Sequence, residues 1–301
     1  MSTAKVLRSF GTHDGTFHAD EVTACALLLM FDKIDEDKII RTRDNLKLQD
    51  CEYVCDVGGF YEPEKKLFDH HQLDYQGPMS SAGMILLYLK DKNILNAKEY
   101  DYFNQNLILG VDAHDNGKDP QVPGLCTYSN IISSFIPIPQ DVSSEVVDKA
   151  FFEALQFSKN FLSRMWKKFH YSQECMELVE KAMRPKEKYL MFDKNVPWLD
   201  LFFELGGESH PAEFVIMPSG EHWKLRGIPP TYEKRMQTRV PLPLSWAGLL
   251  DQEFKEVCGI PGAIFCHKGR FISVFETKED AIKALHKVLI KQELKDNVHD
   301  I

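Results

Sequence analysis

Within the first 117 residues, short apolar runs alternate with stretches of helical period, and four polar clusters fall where those segments end. The clusters are THDGTFHADE (12–21), DVGG (56–59), DHHQ (69–72) and VDAHDNG (111–117). Apolar runs at 6–10, 39–42 and 53–57 have strand length. Helical patterns cover 19–31, 80–90 and 100–111. This alternation predicts an α/β fold, a doubly wound and mostly parallel sheet with helices on both faces. In such a sheet, reactive groups gather on loops at the carboxyl ends of the strands, where the clusters stand.

Four prolines between 120 and 139 predict a long loop or a set of short turns on the rim of the first domain. Helical patterns follow at 144–169 and 173–183, and Pro185 ends the second. Beyond it, strands are expected at 189–192, 212–217 and 263–266, with helices at 245–257 and 279–290. We therefore expect a catalytic domain over 1–185 and a smaller α/β substrate-binding domain over 186–301.

The longest apolar run, 24–31, falls well short of the roughly 18–20 residues that span a bilayer. No membrane association is expected. The N-terminal segment has neither a signal-peptide core nor an Arg-rich amphipathic pattern, so a cytoplasmic location is expected, with the nucleus as the alternative. Seven scattered cysteines suit buried thiols in a reducing compartment; Cys51 and Cys55 lack a second pair at zinc spacing. A net charge of -9 argues against a protein that coats nucleic acid through a broad basic surface. It is compatible with a nuclease whose metal ions neutralise the reacting phosphate locally.

The clusters hold five of the eleven histidines together with several aspartates. Imidazole and carboxylate donors suit manganese, iron or zinc, whereas an all-oxygen set favours magnesium. Two such ions about 3.5–4 Å apart commonly share a carboxylate. Asp56, at the end of an apolar strand, is the natural bridge, and Gly58 and Gly59 allow the chain to turn there. His13, His18, Asp20, His70 and Asp112 complete the expected ligand set for two divalent ions. Adjacent residues of an extended chain point to opposite sides, so His70 is assigned to metal and His71 to the scissile phosphate or a proton transfer. Asp69 is expected to orient an imidazole, and Asp115 to support the site from behind. Glu21 and Asn116 are weaker candidates for fixing loop conformation. Taken singly, Asp20 reads equally as a helix-start residue and Asp112 as part of a turn. The ordered set is what points to metal.

That order resembles the DHH phosphoesterase superfamily, and more closely the melanocyte-proliferating-gene family of metal-dependent exonucleases. The likeness runs through THDGTFHADE, DVGGFYEP, FDHHQ, SSAG (80–83) and VDAHDNG, and continues in WKLRGIPP (223–230), TRVPLPLSWAGL (238–249) and GIPGAIFCH (259–267). The resemblance implies a DHH-like catalytic domain followed by a smaller one, and exonuclease action on RNA from the three-prime end. Single-stranded DNA is the alternative polymer. The pyrophosphatase-type pattern has an Asp four residues after the first His, where this chain has Phe17. Phe135 stands where the family often has an arginine after a Ser-Ser pair, and GRFISV (269–274) replaces a glycine-rich segment.

For holding substrate, the segment 224–239 offers Lys224, Arg226, Lys234, Arg235 and Arg239 interleaved with Tyr232. Arginine forks suit phosphates and aromatic faces suit bases. Arg226 and Arg239, inside the family-like segments, are the expected contacts; a solvated charged face is the competing reading. The rival functions are hydrolysis of a dinucleotide, nucleotide phosphate or pyrophosphate at the same metals, and a non-catalytic metal- or RNA-binding regulator. A zinc deaminase is excluded because its H-x-E and P-C-x-x-C spacings are missing. Manganese is the expected metal, with magnesium, iron or zinc as alternatives, and the oligomeric state is left open.

Overall fold

The structure is a computed structural model that describes residues 5–139 and 142–299. It divides into two compact units, Met1–Phe169 and His170–Ile301.

In the first unit, strands β1 (Val6–Thr12), β2 (Ile39–Arg41), β3 (Cys51–Cys55), β4 (Tyr61–Glu62) and β5 (Leu67–Phe68) form one sheet in the order β2-β1-β3-β5-β4. All neighbours are parallel except the edge pair β4 and β5. The doubly wound, mostly parallel sheet expected from the alternation is therefore present here. Parallel strands need crossovers, and the helices supply them: α1 (Ala19–Met30) between β1 and β2, and the short α2 (Asn45–Gln49) between β2 and β3. The main core lies on one face of this sheet. There Phe10, Tyr53, Cys55 and Phe68 meet α1, α3 (Ser81–Asp91) and the start of α7 (Ser144–Glu174). The opposite face carries only a small cluster of Leu48, Cys51 and Val54.

The helix expected over 100–111 is one helical path in three parts. α4 (Ala97–Phe103) continues through a π-helical turn at Asn104–Ile108 into α5 (Leu109–Asp115). Such turns re-aim the residues that follow, here Asp112 and Asp115. The proline-rich segment is not all loop. Thr127 and Asn130 form a capping box that starts α6 (Tyr128–Ser133).

In the second unit, α8 (Met176–Met183) precedes β6 (Tyr189–Met191), α9 (Trp198–Glu204), β7 (Phe214–Ser219), β8 (His222–Gly227), α10 (Asp251–Cys258), β9 (Ala263–Cys266), β10 (Ile272–Phe275) and α11 (Lys278–His299). The sheet order is β6-β7-β8-β10-β9. Only β6 and β7 run parallel; the other pairs are antiparallel, two of them, β7 with β8 and β9 with β10, consecutive in the chain. Trp198 and Trp246 are buried, and Trp166 and Trp223 pack against core clusters, so the tryptophans serve as core.

Candidate metal centre

The carboxyl ends of β1, β3 and β5 lie on one edge of the first sheet. They launch His13, Asp56 and Asp69 respectively. Asp56 adopts φ +57°, a left-handed conformation uncommon outside glycine, and Gly58 and Gly59 follow at +101° and +75°. This turn takes the carboxylate out of the sheet edge at some backbone cost.

Three overlapping groups of donor atoms converge there: His13, His18, Glu21 and Asp56; Asp56, His70 and His71; and His18, Asp20 and Asp115. Within each group the atoms lie within 4.8 Å of one another. His13 Nε2 is 3.1 Å from Asp56 Oδ2 and 3.3 Å from Glu21 Oε1. His70 Nε2 is 3.4 Å from Asp56 Oδ1 and 2.9 Å from Asp115 Oδ2. Asp56 thus touches both histidine sets, one oxygen to each.

His70 and His71 do not diverge as an extended chain would place them. The backbone N–H of His71 donates to Asp69 Oδ1 at 3.1 Å, a local turn that breaks the alternation. Both imidazoles then lie 3.4 Å from Asp56 Oδ1, with ring centroids 4.4 Å apart. Asp69 Oδ1 pairs with His71 Nδ1 at 2.8 Å, and Oδ2 accepts from Gly59 N–H at 2.6 Å.

Asp112 stands apart from the three groups. Its Oδ1 accepts from Ser80 N–H, Ser80 Oγ–H and Gly83 N–H, fixing the first turn of α3. A side chain at Gly83 would collide with the same carboxylate. Asp115, one turn further along α5, reaches the centre instead. Its i+3 spacing from Asp112 puts both on one helix face without saying which of them reaches the centre. Glu21 also belongs to the first group while capping the His18 N–H, a double role that its place in the first turn of α1 allows. Phe17 is fully buried, edge-on to Phe151 at 5.7 Å, so that position is core and not a ligand site. Phe135 packs on Phe157 in the same layer.

The electrostatics are those of buried charge. Burial pulls the His13 imidazole down, but Asp56 and Glu21 outweigh it and raise it to about 10. Burial likewise opposes Asp115 and Asp56 at His70, which also rises to about 10. Asp56 is held down at about 2 against its burial by His13 and His70. Burial, then the charges of Asp56, Glu21 and Asp115, push Asp20 well above the carboxylate range. Burial raises Asp112 to about 6 despite its Ser80 and Gly83 donors.

Both Asp20 oxygens, Asp56 Oδ1 and His70 Nε2 are buried without an aligned hydrogen-bond partner. Buried polar atoms are otherwise nearly always paired. Buried carboxylate and imidazole atoms gathered in this way fit divalent cations of the imidazole-and-carboxylate class. Beside them lies a cavity of about 870 Å³, lined among others by His13, His18, Arg43, Asp56, His71 and His114. Among the described residues Arg43 is its one lysine or arginine; its Nε lies 3.4 Å from Asp14 and its side chain is largely exposed.

A family model for MYG1-type exonucleases, described as "Uncharacterised protein family (UPF0160)", matches residues 9–289. The chain belongs to this family. It is 51% identical over 290 residues to the MYG1 protein of Chlamydia trachomatis, covering 96% of this chain and 99% of that one. It is 32% identical over 325 residues to the MYG1 exonuclease of Homo sapiens, covering 94% and 86%. Among solved structures, RecJ from Thermus thermophilus in complex with Mn2+ aligns at a TM-score of 0.26 and 12% identity, over 92% of this chain and 52% of that one. That score is too low to establish a shared fold.

Arg226 and Arg239 lie in the second unit. Arg239 gives its guanidinium to the carbonyls of Gly207, His210, Ala212 and Pro229, which ties the chain around β7 and β8 together. Arg226, on β8, lies over the Trp198 ring at 5.8 Å. Among the described residues, no helix is long and apolar enough to cross a membrane.

Proposed function

We propose that this chain is a metal-dependent phosphodiesterase, an exonuclease that shortens RNA or single-stranded DNA from the three-prime end. The observation that carries the reading is the convergence of three donor groups on Asp56 and His18 at the carboxyl edge of the parallel sheet. His13, His18 and Glu21 would hold one ion and His70 and Asp115 a second, with Asp56 between them, Asp20 closing the set and His71 beside the phosphate. Asp115 takes the place first given to Asp112. Manganese is the metal that best suits this mixed donor set, with magnesium, iron and zinc as alternatives.

Divalent ions held there would supply charge neutralisation at the phosphate and bring the pKa of water toward neutrality. The chain's own residues do the rest. Asp69 engages His71 Nδ1 and leaves Nε2 to face the phosphate or the leaving group. Arg43, on the cavity wall, pairs with a phosphate that is not being cut. Arg226 is a contact for more distant parts of a polymer, and Arg239 positions its loop. The polymer and its polarity rest on the family motifs.

A second reading, hydrolysis of a dinucleotide or pyrophosphate, is favoured by the size of the cavity, which suits a small ligand. The test is degradation of end-labelled single-stranded RNA and DNA, with a dinucleotide alongside, in manganese or magnesium against chelator, with Asp56→Ala as control. Stepwise metal-dependent shortening from the three-prime end that the variant loses supports the proposal. Cleavage of the dinucleotide alone supports the second reading, and metal binding without any cleavage supports a regulator.

A further inference from the structure

The face of the first sheet away from the main core is thinly covered. Leu48 and Val54 are buried there in a small cluster, while Leu7 is 70% exposed and Phe60 56%. These side chains and Leu67 line a cavity of about 680 Å³, the size of a small-molecule site. At its rim the lysines differ. The Lys66 ammonium is paired with Glu52, and Lys65 with Glu62. Lys5 donates only to the Lys65 carbonyl, at 3.4 Å, and has no carboxylate within salt-bridge distance among the described residues. Glu52 and Glu64 also line the cavity and are paired with Lys66 and Lys92, so an apolar floor with Lys5, which forms no salt bridge among the described residues, at the mouth complements a molecule with an apolar body and a single negative head.

The cavity also shares a wall with the metal centre. Val57 and Gly58 line both, and they directly follow Asp56. Gly58 at φ +101° is free to change conformation. We propose that this cavity binds a small amphiphilic carboxylate, and that its occupancy alters metal affinity through Val57 and Gly58. The second half rests on the metal reading above; the first does not.

Coupling of this kind is reciprocal, so one titration reads both halves. Decanoate is titrated into the full-length protein by calorimetry, with and without manganese, and decanol is the neutral control. The proposal expects saturable one-to-one binding of decanoate that weakens roughly tenfold or more in Lys5→Gln, where a charge-assisted contact is lost. Decanol binding is expected to be unchanged by that variant. Val54→Trp fills the cavity and removes binding. Leu7→Arg, at an exposed position, does the same without risk to the core. Manganese is expected to shift the decanoate affinity severalfold.

Absence of saturable binding, or binding indifferent to Leu7→Arg and Lys5→Gln, overturns the pocket. Binding that manganese leaves unchanged, in protein shown by dialysis to hold manganese, overturns the coupling alone. If no manganese is held, the metal reading fails while the pocket is still tested. A dimer in sedimentation that Leu7→Arg dissociates assigns the face to a second copy of the chain, and overturns the proposal.

Discussion

Asp69 holds His71 at two points, accepting from the backbone N–H at 3.1 Å and pairing with the ring Nδ1 at 2.8 Å. Its other oxygen ties down Gly59 beyond Asp56, so one carboxylate sets the relative position of two site loops. Asp69→Asn keeps the size but replaces one acceptor with a donor. The expected result is a loss of about 10–100-fold in metal affinity or turnover, as for other residues that orient metal-binding imidazoles. Manganese dialysis and initial rates on the same sample check it, with a thermal melt to show that folding survives.

Metal and protons compete for the same imidazoles. In the metal-free chain His13 and His70 titrate near 10, so both are protonated at neutral pH. Binding a cation must displace those protons. Calorimetry in buffers of different ionisation enthalpy is expected to show net proton release, with metal affinity rising from pH 6 to pH 8.

The same shift predicts the stability of the metal-free form. Each folded-state pKa is raised above the unfolded value of about 6.5. Stability from these imidazolium contacts is therefore complete below about 6.5 and lost as pH rises toward 10. Urea unfolding in chelator across that range is expected to show the decline, and added manganese to abolish it.

Asp112 and Asp56 separate a fold role from a site role. Asp112→Ala leaves the Ser80 and Gly83 donors at the start of α3 without an acceptor, and is expected to cost about 1–3 kcal/mol in urea unfolding. Asp56→Ala is expected to abolish manganese binding. If Asp112→Ala abolishes it as well while the protein remains folded, Asp112 is a ligand after all.

Phe17→Asp restores the residue type of the pyrophosphatase pattern at a fully buried position against Phe151. The account expects no gain in metal affinity and a loss of roughly 3–5 kcal/mol, the scale of a large-to-small core change with a buried polar group added.

Much of this was legible in the sequence because strands and clusters are local signals. The runs behind β1, β3 and β9 and the pattern of α1 read directly, since apolar periodicity dictates which face is buried. The strands β4, β5, β8 and β10 were not anticipated. Two are only two residues long, and β8 and β10 alternate apolar residues with Lys, Arg or Ser, which resembles a charged loop. In the site, His13, His18, Asp20, Asp56 and His70 fall in the donor groups, because loops after parallel strands share one edge. His71 was separated from His70 by assuming extended backbone, which the Asp69 turn removes. The choice between Asp112 and Asp115 depended on how the π-helical turn aims α5, and no single-sequence pattern reveals that rotation.

The most direct test of the central claim is anomalous scattering at the manganese edge from crystals of the protein grown with manganese. Two peaks are expected beside Asp56, one among His13, His18 and Glu21 and the other beside His70 and Asp115, both missing in Asp56→Ala. Peaks elsewhere, or a wild-type protein that takes up no divalent ion at these residues, would contradict it.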